Sequence, residues 1–134
     1  HTGGKIGVLI EINCETDFAA RSDDFQELMH GLAMHVAATA PQVVSREEVD
    51  QKTLADEREI AKDQALKSGK PEKIIDKIVE GKIEKWYSEN VLLEQPYVKD
   101  PDKTVQQLVT DAVNRIGENI QVRRFARFVL GDTD

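Results

Sequence analysis

The chain has 134 residues, 40% of them hydrophobic and 32% charged, which is one domain's worth of sequence able to bury a modest core beneath many exposed helical faces. Its 18 basic residues are outnumbered by 25 acidic ones for a formal charge of −7, so the electrostatic footprint of a nucleic-acid binder is missing and direct RNA contact is not expected. No apolar run is long enough to span a bilayer, and a single cysteine, Cys14, rules out an internal disulfide or a cysteine-based metal site, as suits a reducing compartment.

In chain order, His1-Thr2-Gly3-Gly4 reads as a hairpin turn with no strand before it, which leads us to expect a fragment or processed product lacking an upstream strand. Ile6, Val8, Ile10 and Ile12 then alternate with Gly7, Leu9, Glu11 and Asn13, predicting a strand over about Lys5 to Asn13 with one packed face. Asn13, Glu15, Thr16 and Asp17 break that alternation with turn and cap residues. Phe18 follows at the start of a loop into a helix. An aromatic beside a carboxylate suits a wedge that enters a partner, but spacing alone favours a core anchor. Cys14, at a strand end, reads as a small packed hydrophobe before a nucleophile.

Ser22 is placed to cap a helix, with Asp23 and Asp24 at the positive end of its dipole and Phe25, Leu28, Met29, Leu32 and Val36 as its stripe, until Pro41 stops it. Ser45-Arg46-Glu47-Glu48 has the capping-box pattern and predicts a charged helix from there to about Ser68, with Leu54, Ile60, Ala61, Ala65 and Leu66 as its thin apolar side. Gly69 is placed to end it, and Pro71 suits the first turn of the next helix, whose Ile74, Ile75, Ile78, Val79, Ile83 and Trp86 recur at helical spacing. Gln95-Pro96 marks a turn. A last helix, about Lys103 to Arg115, carries Val105, Leu108, Val109, Ala112 and Ile116 on one side, with Gly117 as its cap.

The final strand, Ile120 to Leu130, is apolar on both faces: Ile120, Val122, Ala126 and Phe128 on one, Phe125 and Val129 on the other. Such a strand needs cover on both sides, helices on one and a second subunit on the other. The order of strand, helices and strand predicts an α+β fold: a small antiparallel sheet packed against several helices, with a projecting helical region. The expected organisation is a single domain over 1–134, divided into a strand and Thr-Asp-Phe turn (1–21), a mainly helical part (22–117) and a C-terminal strand (118–131).

Candidate chemistry is sparse. Gly3-Gly4-Lys5 and Gly69-Lys70-Pro71 do not match a phosphate-binding loop, because Ile6 and Pro71 stand where a hydroxyl binds magnesium. His30 and His35 are five apart on one helix and so face different ways, which argues against a metal site. The carboxylates Glu15, Asp17, Asp23 and Asp24 have no nucleophile and base at a recognisable spacing, so neither an enzyme nor a cofactor is expected. Trp86-Tyr87 reads as core, and Arg123, Arg124 and Arg127 as partners for the chain's own carboxylates.

The run Glu11-Ile12-Asn13-Cys14-Glu15-Thr16-Asp17-Phe18-Ala19-Ala20-Arg21 closely resembles a signature of the elongation factor Ts family. Gly4-Lys5-Ile6-Gly7-Val8-Leu9, Ala33-Met34-His35-Val36-Ala37-Ala38, Ser68-Gly69-Lys70-Pro71, Gln95-Pro96-Tyr97-Val98, Lys103-Thr104-Val105 and Ile116-Gly117-Glu118-Asn119-Ile120 agree with it in order, so the resemblance covers nearly the whole chain. It implies a core or dimerisation domain in a short, single-core form, with the family's N-terminal ubiquitin-associated-like domain absent. It also implies guanine-nucleotide exchange on GDP-bound elongation factor Tu during translation, in the bacterial cytoplasm or an organellar matrix or stroma. Thr16, Asp17, Phe18 and Ala19 are then the partner-binding element that dislocates magnesium, with Met34, His35 and Val36 as a second contact. The family motif normally has Val at the position of Ala19. Short members form dimers, in keeping with the two-faced strand. The alternative is a ribosome-associated or scaffolding module of the same fold without exchange activity.

Overall fold

Strands from the two ends of the sequence make the sheet that organises everything between them. In a computed structural model describing residues 3–132, β1 (Ile6–Asn13) pairs antiparallel with β4 (Gln121–Val129), from Ile6 opposite Val129 to Asn13 opposite Gln121. The fold is α+β, as the element order predicts. Between these strands lie α1 (Asp17–Arg21), α2 (Asp23–Thr39), α3 (Gln51–Lys67), α4 (Glu72–Asn90), a small hairpin of β2 (Pro96–Tyr97) and β3 (Asp100–Thr104), and α5 (Val105–Ile116). The turn expected at His1–Gly4 begins outside the described residues; within them Gly3 and Gly4 have φ of 95° and 69°. No helix among the described residues is long and apolar enough to cross a membrane.

The register contains a β-bulge that corrects the predicted faces of β4. Glu11 pairs with Arg124 but Ile12 pairs with Val122, so Arg123 is an extra residue on that strand. One inserted residue reverses the alternation. Val122 and Phe125, expected on opposite faces, both pack into the core, while Ala126 and Phe128 point outward beside Leu9 and Gly7. Arg127 also faces inward and donates from Nε and Nη2 to the Ala37 carbonyl at 3.2 and 3.0 Å. Of the three arginines, Arg124 pairs with a carboxylate, Glu11, at 3.0 Å; Arg123 is exposed.

The main core joins the inner sheet face to α2 and α5 through Phe25, Leu28, Leu32, Val36, Val105, Val109, Ala112, Ile120 and Val122. The helices start and stop where local chemistry directs. Ser22 caps α2, Thr104 and Gln107 form a full capping box on α5, and Gly117 closes α5 with φ of 80°. Ala40 takes the left-handed cap of α2 (φ 47°), since Pro41 disfavours the right-handed helical region for the residue before it. A second core lies between α3 and α4, built from Leu54, Ala61, Ala65, Ile75, Val79, Ile83, Tyr87 and Val91. Gly69 (φ 75°) ends α3 in a Schellman arrangement, with the Gly69 N–H bound to the Leu66 carbonyl and the Lys70 N–H to that of Ala65. Ile60 and Leu66, placed on the apolar side of α3 by spacing, are exposed, and Trp86 is half-buried beside Tyr87.

Two further expectations are corrected. The capping-box pattern at Ser45 does not start α3. Residues Arg46–Glu48 make only a single 3₁₀ turn, Val49 is extended, and Asp50 caps the helix by accepting the Lys52 N–H. The competing interactions are tertiary: Leu92 and Leu93 donate to the Val43 and Val44 carbonyls, and Arg46 is drawn to Glu84, Glu94 and the face of Tyr87. Gln95-Pro96, expected as a turn, instead leads into the β2–β3 hairpin. Gln95 is buried and holds three elements: it accepts from His35 of α2, donates to the Glu89 carbonyl of α4, and accepts the Val105 N–H at the start of α5.

Tyr97 of that hairpin packs on α2 so closely that a Cβ added at Gly31 lies 2.1 Å from its hydroxyl oxygen. The ring is buried and stacked on His35 with centroids 5.7 Å apart, so it has no free path of retreat. Gly31→Ala therefore destabilises the protein by roughly 1–3 kcal/mol in a denaturant titration, reversing the gain of about 1 kcal/mol expected for Gly→Ala inside a helix.

Candidate functional site

The segment after β1 forms one turn of helix whose order comes from outside itself. A five-residue helix cannot sustain itself, because nucleation alone outweighs its few hydrogen bonds. Thr16, extended at φ −134°, caps α1 by accepting the Ala19 N–H on Oγ1 at 3.2 Å. Ser22 closes the other end, its N–H and Oγ both donating to the Ala19 carbonyl (3.1 and 2.7 Å), and the same hydroxyl then caps α2 by accepting from Phe25. Gln26 donates to the Ala20 carbonyl at 2.8 Å.

A clamp from the far end of the chain holds the entry to this turn. Glu118 Oε1 accepts the N–H groups of Glu15 and Thr16, each at 3.0 Å, and its Oε2 accepts the Thr16 hydroxyl at 2.5 Å. Glu15 reciprocates by accepting the Asn119 N–H at 2.7 Å. Hydrogen bonding by the Thr16 hydroxyl, and then by the Glu15 and Thr16 amides, holds the Glu118 carboxyl below its ordinary range against the opposing effect of burial. The Cys14 thiol is half-buried and donates to the Thr16 carbonyl at 3.3 Å, which is a packing role.

The expected quartet is thus divided between presentation and support. Phe18 is 88% exposed, which overturns the core reading that spacing alone favoured. Asp17 is exposed beside it, at the first residue of α1. Ala19, by contrast, is buried against the chain's own fold, and Thr16 is engaged as the cap. The Met34-His35-Val36 group is divided too. Met34 is 45% exposed, but the side chains of His35 and Val36 are fully buried, so neither presents a surface for the second contact expected of them.

His35 is instead a satisfied core residue. Its Nδ1 accepts the Val98 N–H at 3.1 Å, so Nε2 carries the proton and donates to Gln95 Oε1 at 2.8 Å. Burial pushes its pKa down despite the Gln95 bond, so the ring is held neutral. Among the described residues, no group of three or more His, Cys, Asp or Glu is arranged to hold a metal ion.

A second candidate surface is the outer face of the sheet. Leu9 (73% exposed), Phe128 (64%) and Leu130 (78%) lie there with the half-buried Ala126, bordered by the Glu11–Arg124 ion pair. Sequence reasoning passed over Glu118 and Gln95. Both lie in segments quoted above for the family resemblance, but the bonds of Glu118 to Thr16 and of Gln95 to His35 each cross more than fifty residues of sequence, where spacing carries no signal.

Because the folded pKa of Glu118 is depressed, the clamp contributes fully above the unfolded carboxyl value of about 4.5 and is lost as pH falls through the folded value. Amide exchange by NMR should therefore show the Glu15 and Thr16 N–H groups losing protection below about pH 4.5, before the Leu32 and Val36 amides of α2. Uniform loss across both sets is the contrary outcome.

Comparison with known proteins accords with this geometry. The family model described as Elongation factor TS matches residues 1–132. Elongation factor Ts of Heliobacterium modesticaldum is 58% identical over 132 residues, covering 98% of this chain and 61% of that protein. Those of Geobacter sulfurreducens and Moorella thermoacetica are 59% and 55% identical over the same share of this chain, 61% and 65% of their own lengths. The chain thus spans somewhat less than two thirds of the relatives it matches. With the match running through both strands, the Thr-Asp-Phe turn and its clamp, the chain belongs to the elongation factor Ts family.

Proposed function

We propose that this chain acts in translation elongation as a guanine-nucleotide exchange factor for GDP-bound elongation factor Tu, by protein contact and with no active site of its own. The observation that carries this reading is the exposure of Phe18 on a turn stiffened from both sides. An aromatic left 88% in water forgoes roughly 1.5–3 kcal/mol of transfer free energy, which a partner's cleft can recover. Phe18 enters between partner helices beside the bound magnesium, Asp17 engages those helices, and disturbance of the magnesium and phosphate site lowers GDP affinity.

Linkage sets the scale. Factor and nucleotide weaken each other reciprocally, and each decade of weakened GDP binding takes about 1.4 kcal/mol of coupling. Phe18 therefore supplies one or two decades, and wider contacts, including Met34, supply the rest. Ala19, where the family motif normally has Val, is buried against the chain's own fold and stands in this reading as support for the turn, not as a partner contact. The reading favours the cytoplasm as the place of action, the relatives named above being bacterial. It also includes a homodimer through the outer sheet face, supported by Leu9, Phe128 and Leu130. A scaffolding role without exchange remains the second reading, and binding to elongation factor Tu with unchanged GDP release selects it.

Stopped-flow release of fluorescent GDP from elongation factor Tu tests the proposal. The parent chain accelerates release, and Phe18→Ala lowers the second-order rate by about ten- to a hundredfold while its melting temperature stays the same. Equal acceleration by both proteins removes Phe18 from the mechanism. For the dimer, sedimentation equilibrium should show Phe128→Asp shifting the parent from dimer to monomer; a parent already monomeric at micromolar concentration overturns it.

A further inference from the structure

We propose that Glu118 is a positioning residue for Phe18, fixing the Thr16 hydroxyl as a helix cap so that α1 stands ordered, aromatic outward, before any partner arrives. The proposal rests on the exchange reading for the activity it alters, and on hydrogen-bond stoichiometry for its mechanism. A hydroxyl has one proton and two lone pairs. To cap α1, Thr16 Oγ1 must accept from Ala19, so its proton has to go elsewhere; Glu118 Oε2 takes it. The other carboxylate oxygen accepts the Glu15 and Thr16 amides, which fixes the backbone entering the helix. One carboxylate thereby orients three donors within two consecutive residues.

Placement of the carboxylate is itself determined. Gly117, at φ 80°, closes α5 with its N–H on the Val113 carbonyl (2.8 Å) and turns the chain back toward β4. Glu118 then sits beside the end of β1 because Asn13 and Gln121 are paired. Glu15, accepting from Asn119, binds the two turns in the reverse direction. The orientation of Phe18 is therefore set through Thr16 by a residue 102 positions further along the chain than that threonine, at the other end of the domain.

Preorganisation of this kind acts on affinity. If only a fraction of chains hold the turn, the apparent dissociation constant rises by the reciprocal of that fraction, while the docked complex is unchanged. Glu118→Ala should raise the half-saturating concentration for GDP release about tenfold and leave the rate at saturation within about twofold. Glu118→Gln keeps an oxygen for the two amides and falls between the two. A merely structural role is separated by a double-mutant cycle. In a background carrying both Asp17→Ala and Phe18→Ala, which lacks the two side chains that α1 presents and retains residual activity through its wider contacts, Glu118→Ala should produce no further change. The same tenfold loss there overturns the proposal.

Amide exchange supplies the arm that does not depend on exchange activity. Glu118→Ala should speed exchange at Glu15, Thr16 and Ala19 about tenfold, with Leu32 and Val36 unaltered. Unaltered protection at the first three overturns the proposal. If the parent does not accelerate GDP release, the exchange reading fails and this arm alone decides whether Glu118 orders the turn. Should Glu118→Ala not fold, Glu118→Gln, which keeps the size of the side chain, replaces it in every arm, and unaltered Ala19 protection with unaltered half-saturation then overturns the proposal.

Discussion

Antiparallel pairing of β1 with β4 is the constraint on which the rest depends. It joins two segments separated by most of the chain, so the helices and the hairpin lie within one long closed loop whose ends supply the sheet face of the main core. Closure entropy grows only slowly with length, which makes such a loop tolerable, but the pairing has no local signal to direct it. Register is enforced instead by burial: Val8, Ile10 and Ile12 must meet the core formed by α2 and α5. The bulge at Arg123 lets the returning strand satisfy that demand at both ends, keeping Val122 and Phe125 inward and leaving Phe128 and Ala126 outside.

Junctions between the parts are polar and buried, which is why they specify geometry. His35, Gln95 and the Val98 amide exchange hydrogen bonds out of water, and each bond made there avoids an unsatisfied group costing about 1–3 kcal/mol. Gln95 reaches α2, α4 and the first residue of α5 together, so the α3–α4 unit cannot shift relative to the main core without breaking it. Of Met34-His35-Val36, expected as a second partner contact, His35 and Val36 are thus buried parts of the architecture.

Legibility in the sequence follows the range of the interaction. Ser22, Gly69 and Gly117 act on residues within one helical turn, and each does what its local pattern predicts. Helical stripes such as Phe25, Leu28, Leu32 and Val36 were readable for the same reason. Ser45 shows the limit: its capping pattern is intact, yet bonds from Val43 and Val44 to residues on the far side of α4 override it. The bulge and the Glu118 clamp are invisible because their partners lie far away in sequence; the β2–β3 hairpin is local but leaves no pattern, β2 being two residues long and β3 opening on Asp100-Pro101-Asp102 with no apolar alternation. Phe18 was misjudged by spacing for a related reason. An aromatic after a strand is usually core, and only its neighbours in the motif marked it otherwise.

The position of Phe18 next to the clamp also follows from physics. An isolated turn of helix bearing an exposed aromatic has every incentive to rearrange and bury it, since that gains roughly 1.5–3 kcal/mol. Holding the side chain in water therefore requires bonds that rearrangement would break, and charge-assisted bonds to a carboxylate are about twice as strong as neutral ones. Thr16 and Glu15 supply the donors, Glu118 the acceptor, and Ser22 anchors the opposite end to α2. Ala19 and Ala20, small and inward, let the turn lie close against the core without forcing Phe18 toward it. An exposed aromatic is stable here because it stands where both ends of the domain meet, beside the end of β1 at which the returning chain holds the turn.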